Sequence, residues 1–147
     1  MNVYYEISLF FILGFVEFIL DLILYKNLYT NCNHLFIFYI ELLFHHIIGI
    51  FTAFGWLSSN KYVLMLYVFT TISVIIQWNV MKFLGKGKCI ISNNTNRLCK
   101  LEKYEKLKNW SIILKLDNYK SVKILKYIYM IFGILFAIKK INNMSKN

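Results

Sequence analysis

Long apolar stretches decide which folds are open to this chain. Ile7 to Tyr25, Leu35 to Leu57 and Tyr62 to Met81 each approach the roughly twenty residues that carry a helix across the hydrocarbon core of a bilayer. A backbone in hydrocarbon has to satisfy its own hydrogen bonds, so segments of this length are read as helices. A fourth stretch, Val122 to Ile138, is shorter and is interrupted by Lys126. It spans only if Lys123 and Lys126 snorkel or find partners. Composition agrees with the pattern: 59% of residues are hydrophobic and the mean hydropathy is +0.53, too apolar for an ordinary soluble domain. The expectation is an all-α polytopic membrane protein, a single bundle of about four transmembrane helices that takes up almost all of the 147 residues. Asn27 to His34 and Ser58 to Lys61 are short polar turns suited to antiparallel hairpins. The N-terminus lacks a basic region and a small-residue cleavage site and carries Glu6, so the first helix is expected to stay in the bundle rather than be removed as a signal peptide.

The net charge of +10 is unevenly spread. Of the 17 basic residues only Lys26 and Lys61 precede Lys82. The others fall in the basic loop 82–121, around the last apolar segment, or in the tail. Beside membrane spans such a bias marks the cytoplasmic side and contact with anionic lipid, and no nucleic acid is expected as a partner. Lys139, Lys140 and Lys146 would then lie on the far side with both termini, against the same rule. Within the loop, Leu101 to Leu116 has the pattern of a surface helix bearing Trp110.

Three cysteines give neither a zinc spacing nor a Cys-x-x-Cys pair. With an even number of spans Cys32, in the first turn, shares a side with Cys89 and Cys99. A Cys89–Cys99 disulfide requires that side to be oxidising, and so would glycosylation at Asn93, Asn109 or Asn143. The charge points the other way.

Ionisable groups inside the spans are the candidates for function, because each is costly in hydrocarbon and needs a partner, a cavity or a task. Glu17 and Asp21 are four apart and share one face of the first helix; Glu41 and His45 do so on the second. Hairpin packing about Asn31 sets Asp21 level with Glu41 and Glu17 level with His45, roughly 6–15 Å inside the loop-side boundary. Ser73 and Gln77 of the third helix, and Lys126 of the fourth, reach similar depth as a supporting polar layer. Carboxylates so close together need a compensating cation: Lys126, a protonated His45, protons on the acids, or a bound metal. Carboxylate with imidazole suits zinc, iron or manganese, and also a proton relay. His46, about 100° round from His45, reads as a packing or interfacial residue, and His34 as a solvated turn residue. Glu-x-x-x-His is not the spacing of di-iron bundles or zinc proteases, and no second inward histidine is present to hold a haem. No cofactor is identified.

From His45 onward the order of features resembles a family of small, uncharacterised multi-helix membrane proteins found in bacteria and large DNA viruses. The residues that carry it are His45 or His46, Phe54-Gly55, Gln77-Trp78, Cys89-Ile90-Ile91-Ser92 and Glu102. Ile91 and Ser92 stand where that family has Leu-Thr, and an Asn-rich insertion precedes Glu102. The resemblance implies a multi-helix membrane architecture, draws attention to Cys89, and implies no established activity. The function expected from the residues is non-enzymatic: a structural or interaction protein of a viral envelope or host organelle membrane, with the polar layer fixing helix packing or lining a pathway in a homo-oligomer. A proton- or metal-handling protein that uses Glu17, Asp21, Glu41 and His45 is the alternative, and a membrane-bound redox or lipid-modifying enzyme comes third.

Overall fold

A computed structural model of the chain describes residues 2–24, 26–29, 32–84, 89–99 and 120–146. Within them the chain is all-helical: α1 (Val3–Leu24), α2 (Leu35–Phe54), α3 (Lys61–Phe83), a short α4 (Ile90–Leu98) and α5 (Lys120–Met144). Three of these, α1, α3 and α2 with its extension to Leu57, are long and apolar enough to cross a membrane. The basic stretch 101–116 with Trp110, the sequon at Asn109, and Glu102 lie outside the described residues.

Local chemistry sets the ends of the helices. Asn2 opens α1, its side chain accepting from the Tyr4 N–H at 3.2 Å. Between α1 and α2 the chain makes a single 3-10 turn, Lys26–Tyr29, and His34 enters α2 in the left-handed region, φ 55°. A second 3-10 turn, Gly55–Leu57, extends α2. Asn60 then caps α3, its Oδ1 accepting from Tyr62 N–H at 2.9 Å. Such a cap satisfies backbone donors that no preceding turn can.

The helices pair as two antiparallel hairpins, α1 chiefly on α2 and α3 chiefly on α5. Along the first, Phe10 meets Phe51 edge-on at 5.1 Å, Gly14 faces the Ile47 backbone, and Phe18 meets Tyr39 at 6.5 Å. On the second, Trp78 near the end of α3 meets Tyr127 near the start of α5, and Gly133 is so close to the Tyr67 hydroxyl that no side chain fits between them. Trp56 sits between the hairpins, donating to Ala53 O and to Tyr129 Oη, both at 3.0 Å, with Phe136 at 5.4 Å.

Two apolar clusters result. One, at the Gly55 end, joins Phe10, Phe51, Val63, Leu64, Tyr67 and Ala137; the other, at the Cys32 end, joins Phe18, Tyr29, Phe38, Leu42 and Cys99. The outer faces are apolar as well: Phe11, Ile12, Ile23, Phe36, Phe69, Ile76 and Leu135 are all exposed. Water would penalise so much continuous apolar surface, whereas lipid does not.

The cysteines pair as Cys32–Cys99, while Cys89 is outside the disulfide. The Cys89–Cys99 pairing is not formed, and the reason is mechanical. The α4 helix stands between the two residues and separates them by roughly 15 Å of rise, far beyond disulfide reach. Nor is the segment after α3 wholly a surface loop, because α4 packs along α2.

Candidate functional site

The buried residues of α1 are Glu6, Phe10, Gly14, Phe18 and Asp21. Their spacing of three or four makes one stripe along the helix, acidic at both ends and apolar between. On α2 the corresponding stripe is Phe38, Leu42 and His46. Where the two stripes meet toward the Cys32 end, His46 stands between two carboxylates: Nδ1 is 3.4 Å from Glu17 Oε2 and Nε2 is 3.4 Å from Asp21 Oδ2. Tyr29 donates its hydroxyl to the same Asp21 oxygen at 2.6 Å, and Phe18 lies against the imidazole at 6.5 Å. His46 and Asp21 are buried and Glu17 nearly so. An imidazolium here leaves the trio with one net negative charge; one further proton removes it.

The sequence reading aligned Glu17 with His45 and set His46 aside as a packing residue. The structure turns His46 to the acids, and sends His45 round the helix to α4. Two adjacent residues differ by about 100°, and the face that α1 covers is that of Phe38 and Leu42. Glu41 follows His45 rather than joining Asp21. Asn94 of α4 donates to Glu41 Oε1, and Cys89 Sγ lies 3.8 Å from His45 Nδ1. Thus the four candidate residues divide between two places: Glu17 and Asp21 at the α1–α2 interface, Glu41 and His45 at the α2–α4 interface. Ser73 is exposed, and Gln77 and Lys126 are half-buried, on the other hairpin.

A third polar site occupies the opposite end of the bundle. Glu6 is 2% exposed and accepts hydrogen bonds from Ser58 and, at 2.9 Å, from Ser59. Lys140, from the last turns of α5, donates to the carbonyl oxygens of Ser58 at 2.6 Å and Leu57 at 3.3 Å. A lysine that takes up helix-end carbonyls is a local cap. Its presence at the end of the bundle away from Cys32 therefore has a packing cause. The starts of α1 and α3 and the end of α5 are held together here.

Sequence reasoning passed over Glu6, Tyr29, His46, Asn94 and Lys140. Glu6 left a signal: it lies eleven residues before Glu17, three helical turns, on the same face. Asn94, the partner of Glu41, left none, since nothing in the Asn-rich stretch announces that it docks on α2; Cys89, the partner of His45, was marked only by the family resemblance. Among the described residues no group of three or more His, Cys, Asp or Glu side chains is placed to hold a metal ion. No family model, curated protein or solved structure matches the chain.

Proposed function

We propose that this is a small multi-pass membrane protein of structural or interaction type, whose intramembrane acids and histidine hold its helices in register. The observation that carries the reading is the bracket of His46 by Glu17 and Asp21. Both acids come from one helix, the imidazole from its neighbour, and Tyr29 adds a hydrogen bond from the connecting turn. Polar pairs between apolar helices serve this purpose, because packing of aliphatic surfaces against lipid or protein discriminates registers poorly. The Glu6–Ser58–Ser59 contact supports the same role at the other end.

The basic side of the bundle is proposed to face the cytoplasm and its anionic lipids, following the charge bias. The Cys32–Cys99 bond lies on that side and argues against this orientation, because thiol buffers keep most intracellular cysteines reduced.

The test reconstitutes wild type and His46→Ala in liposomes and measures folding and proton permeability on the same samples. A structural cluster predicts that His46→Ala unfolds at lower denaturant, with no difference in proton leak. Proton conduction by wild type, lost in a variant that folds as well as wild type, would refute the structural reading in favour of proton handling.

A further inference from the structure

α4 is a polar helix in an apolar place. Between Ile91 and Leu98 its sequence is Ser92-Asn93-Asn94-Thr95-Asn96-Arg97, without one apolar side chain. Yet it lies antiparallel against the first half of α2 and is tied to it at three levels. At one end Cys99 is bonded to Cys32, and Leu98 O accepts from Asn33 N–H at 2.7 Å. In the middle Asn94 donates to Glu41. At the other end Cys89 meets His45. The register closes on length: Cys89 to Cys99 and Leu35 to His45 are both ten residues, roughly 15 Å of helix rise.

That distance is about half of a 30 Å hydrocarbon core. If α2 crosses the membrane, α4 dips beside it toward the middle and returns to the surface at the disulfide. Polar groups at that depth are tolerated only where they are buried in protein or line water. These are not sealed: Glu41, His45, Cys89 and Asn94 are all half-buried. Glu41 Oε2, moreover, is shielded from bulk solvent yet takes no hydrogen bond among the described residues. Lipid offers the partly exposed faces of these side chains no hydrogen bond, whereas water does.

We propose that α4 is a re-entrant segment forming one wall of a water-filled vestibule, which opens at the Cys32–Cys99 end and admits small cations past Glu41 as far as His45 and Cys89. The cation preference comes from position. Glu41 stands on the way in, where low dielectric strengthens its field; exposed Arg97 stands at the mouth, where solvent and salt screen it. This inference is independent of the role given to His46, which faces α1.

Cys89 is the natural probe, since the other two cysteines are bonded to each other. The wild-type chain in phosphatidylcholine vesicles, kept unreduced, is treated with a membrane-impermeant cationic thiosulfonate (trimethylammonium type) or its anionic sulfonate counterpart, and modification is read by intact mass. Rates are divided by those for a free small thiol. Position is tested separately with His45→Cys under mild oxidation.

The expected result has three parts. Cys89 is modified without detergent, several-fold faster by the cationic reagent. Glu41→Gln removes most of that advantage. The cysteine placed at position 45 bonds to Cys89. Cross-linking without labelling would mean dry packing of α4 on α2 and would overturn the vestibule. Labelling without cross-linking would put α4 on the membrane surface and overturn the re-entrant placement. An anionic reagent that reacts as fast as the cationic one would overturn cation selection.

Discussion

Alanine at Gly14 and alanine at Gly49 are expected to move stability in opposite directions, although both replace a glycine in a long apolar helix. A Cβ on Gly14 would stand 2.7 Å from Ile47 Cα and Cγ1 and 3.0 Å from Ile47 N, whereas at Gly49 nothing lies within 4 Å. Two of the three atoms at Gly14 are backbone and cannot rotate away. Ordinary contact begins near 3.4 Å, so α1 and α2 have to part locally by roughly 0.7 Å, a gap that forfeits about a quarter to a half of each van der Waals contact along the seam. Forced overpacking of this kind costs about 1–3 kcal/mol, and alanine's better helix propensity offsets up to about 1 kcal/mol of it. The net expectation is a loss of about 0–2 kcal/mol at Gly14, reached from the overpacking and propensity figures. At Gly49 only the propensity remains, a gain of up to about 1 kcal/mol. The seam loosened at Gly14 is the one that holds the 3.4 Å contacts of His46, one turn away, so the polar bracket should weaken with it. The assay is dodecyl sulfate titration in mixed micelles, with helix content and tryptophan fluorescence read together. If Gly14→Ala were as stable as Gly49→Ala, the close approach of α1 and α2 would be refuted.

Three further outcomes follow from other contacts. Reducing Cys32–Cys99, which closes a separation of 67 residues, should lower stability by about 4 kcal/mol on the chain-entropy scale; the same titration with and without reductant measures it, and no shift would mean that α4 is held without the bond. Tyr29→Phe removes the hydroxyl that Asp21 accepts and should cost about 1.5–3 kcal/mol, the scale of a hydrogen bond to a charged group; in an Asp21→Asn background the same change should cost less, and fully additive losses in the double-mutant cycle would mean that the two groups do not interact. Glu6→Gln keeps an oxygen acceptor for Ser58 and Ser59 and should be nearly neutral, whereas Glu6→Ala takes the acceptor from the buried Ser58 hydroxyl at about 1–3 kcal/mol; equal effects would remove Glu6 from the end contact.

How far the sequence could be read depended on whether a signal was repeated or single. The apolar stretches are long, and a twenty-residue run admits few readings, so the helices of the hairpins lie where the pattern sets them. The acidic stripe of α1 was half visible, through Glu17 and Asp21. Which histidine met it was not, because His45 and His46 are adjacent and the choice depends on the angle at which two helices cross. Gly14 lets α1 approach Ile47 closely there, a contact with no counterpart in hydropathy. The α4 segment was illegible for a different reason. It is short and polar, and polar sequence between spans is ordinarily solvated; only its disulfide and its contacts with Glu41 and His45 show that it docks. The Cys32–Cys99 choice belongs with it, since a helix between Cys89 and Cys99 is what keeps those two apart.

The division into two hairpins also sets an order of assembly. α1 makes most of its contacts with α2, so both sides of this interface are present in the chain before α3 is made. Glu6 closes on Ser58 and Ser59 next, as soon as the second turn has formed. The bond from Cys32, by contrast, has to wait for Cys99, made only after α3. During that interval Glu41 and His45 stand beside an unfilled place on α2. The contacts of Glu41 and His45 with α4 are therefore among the last of the described ones that the growing chain can make.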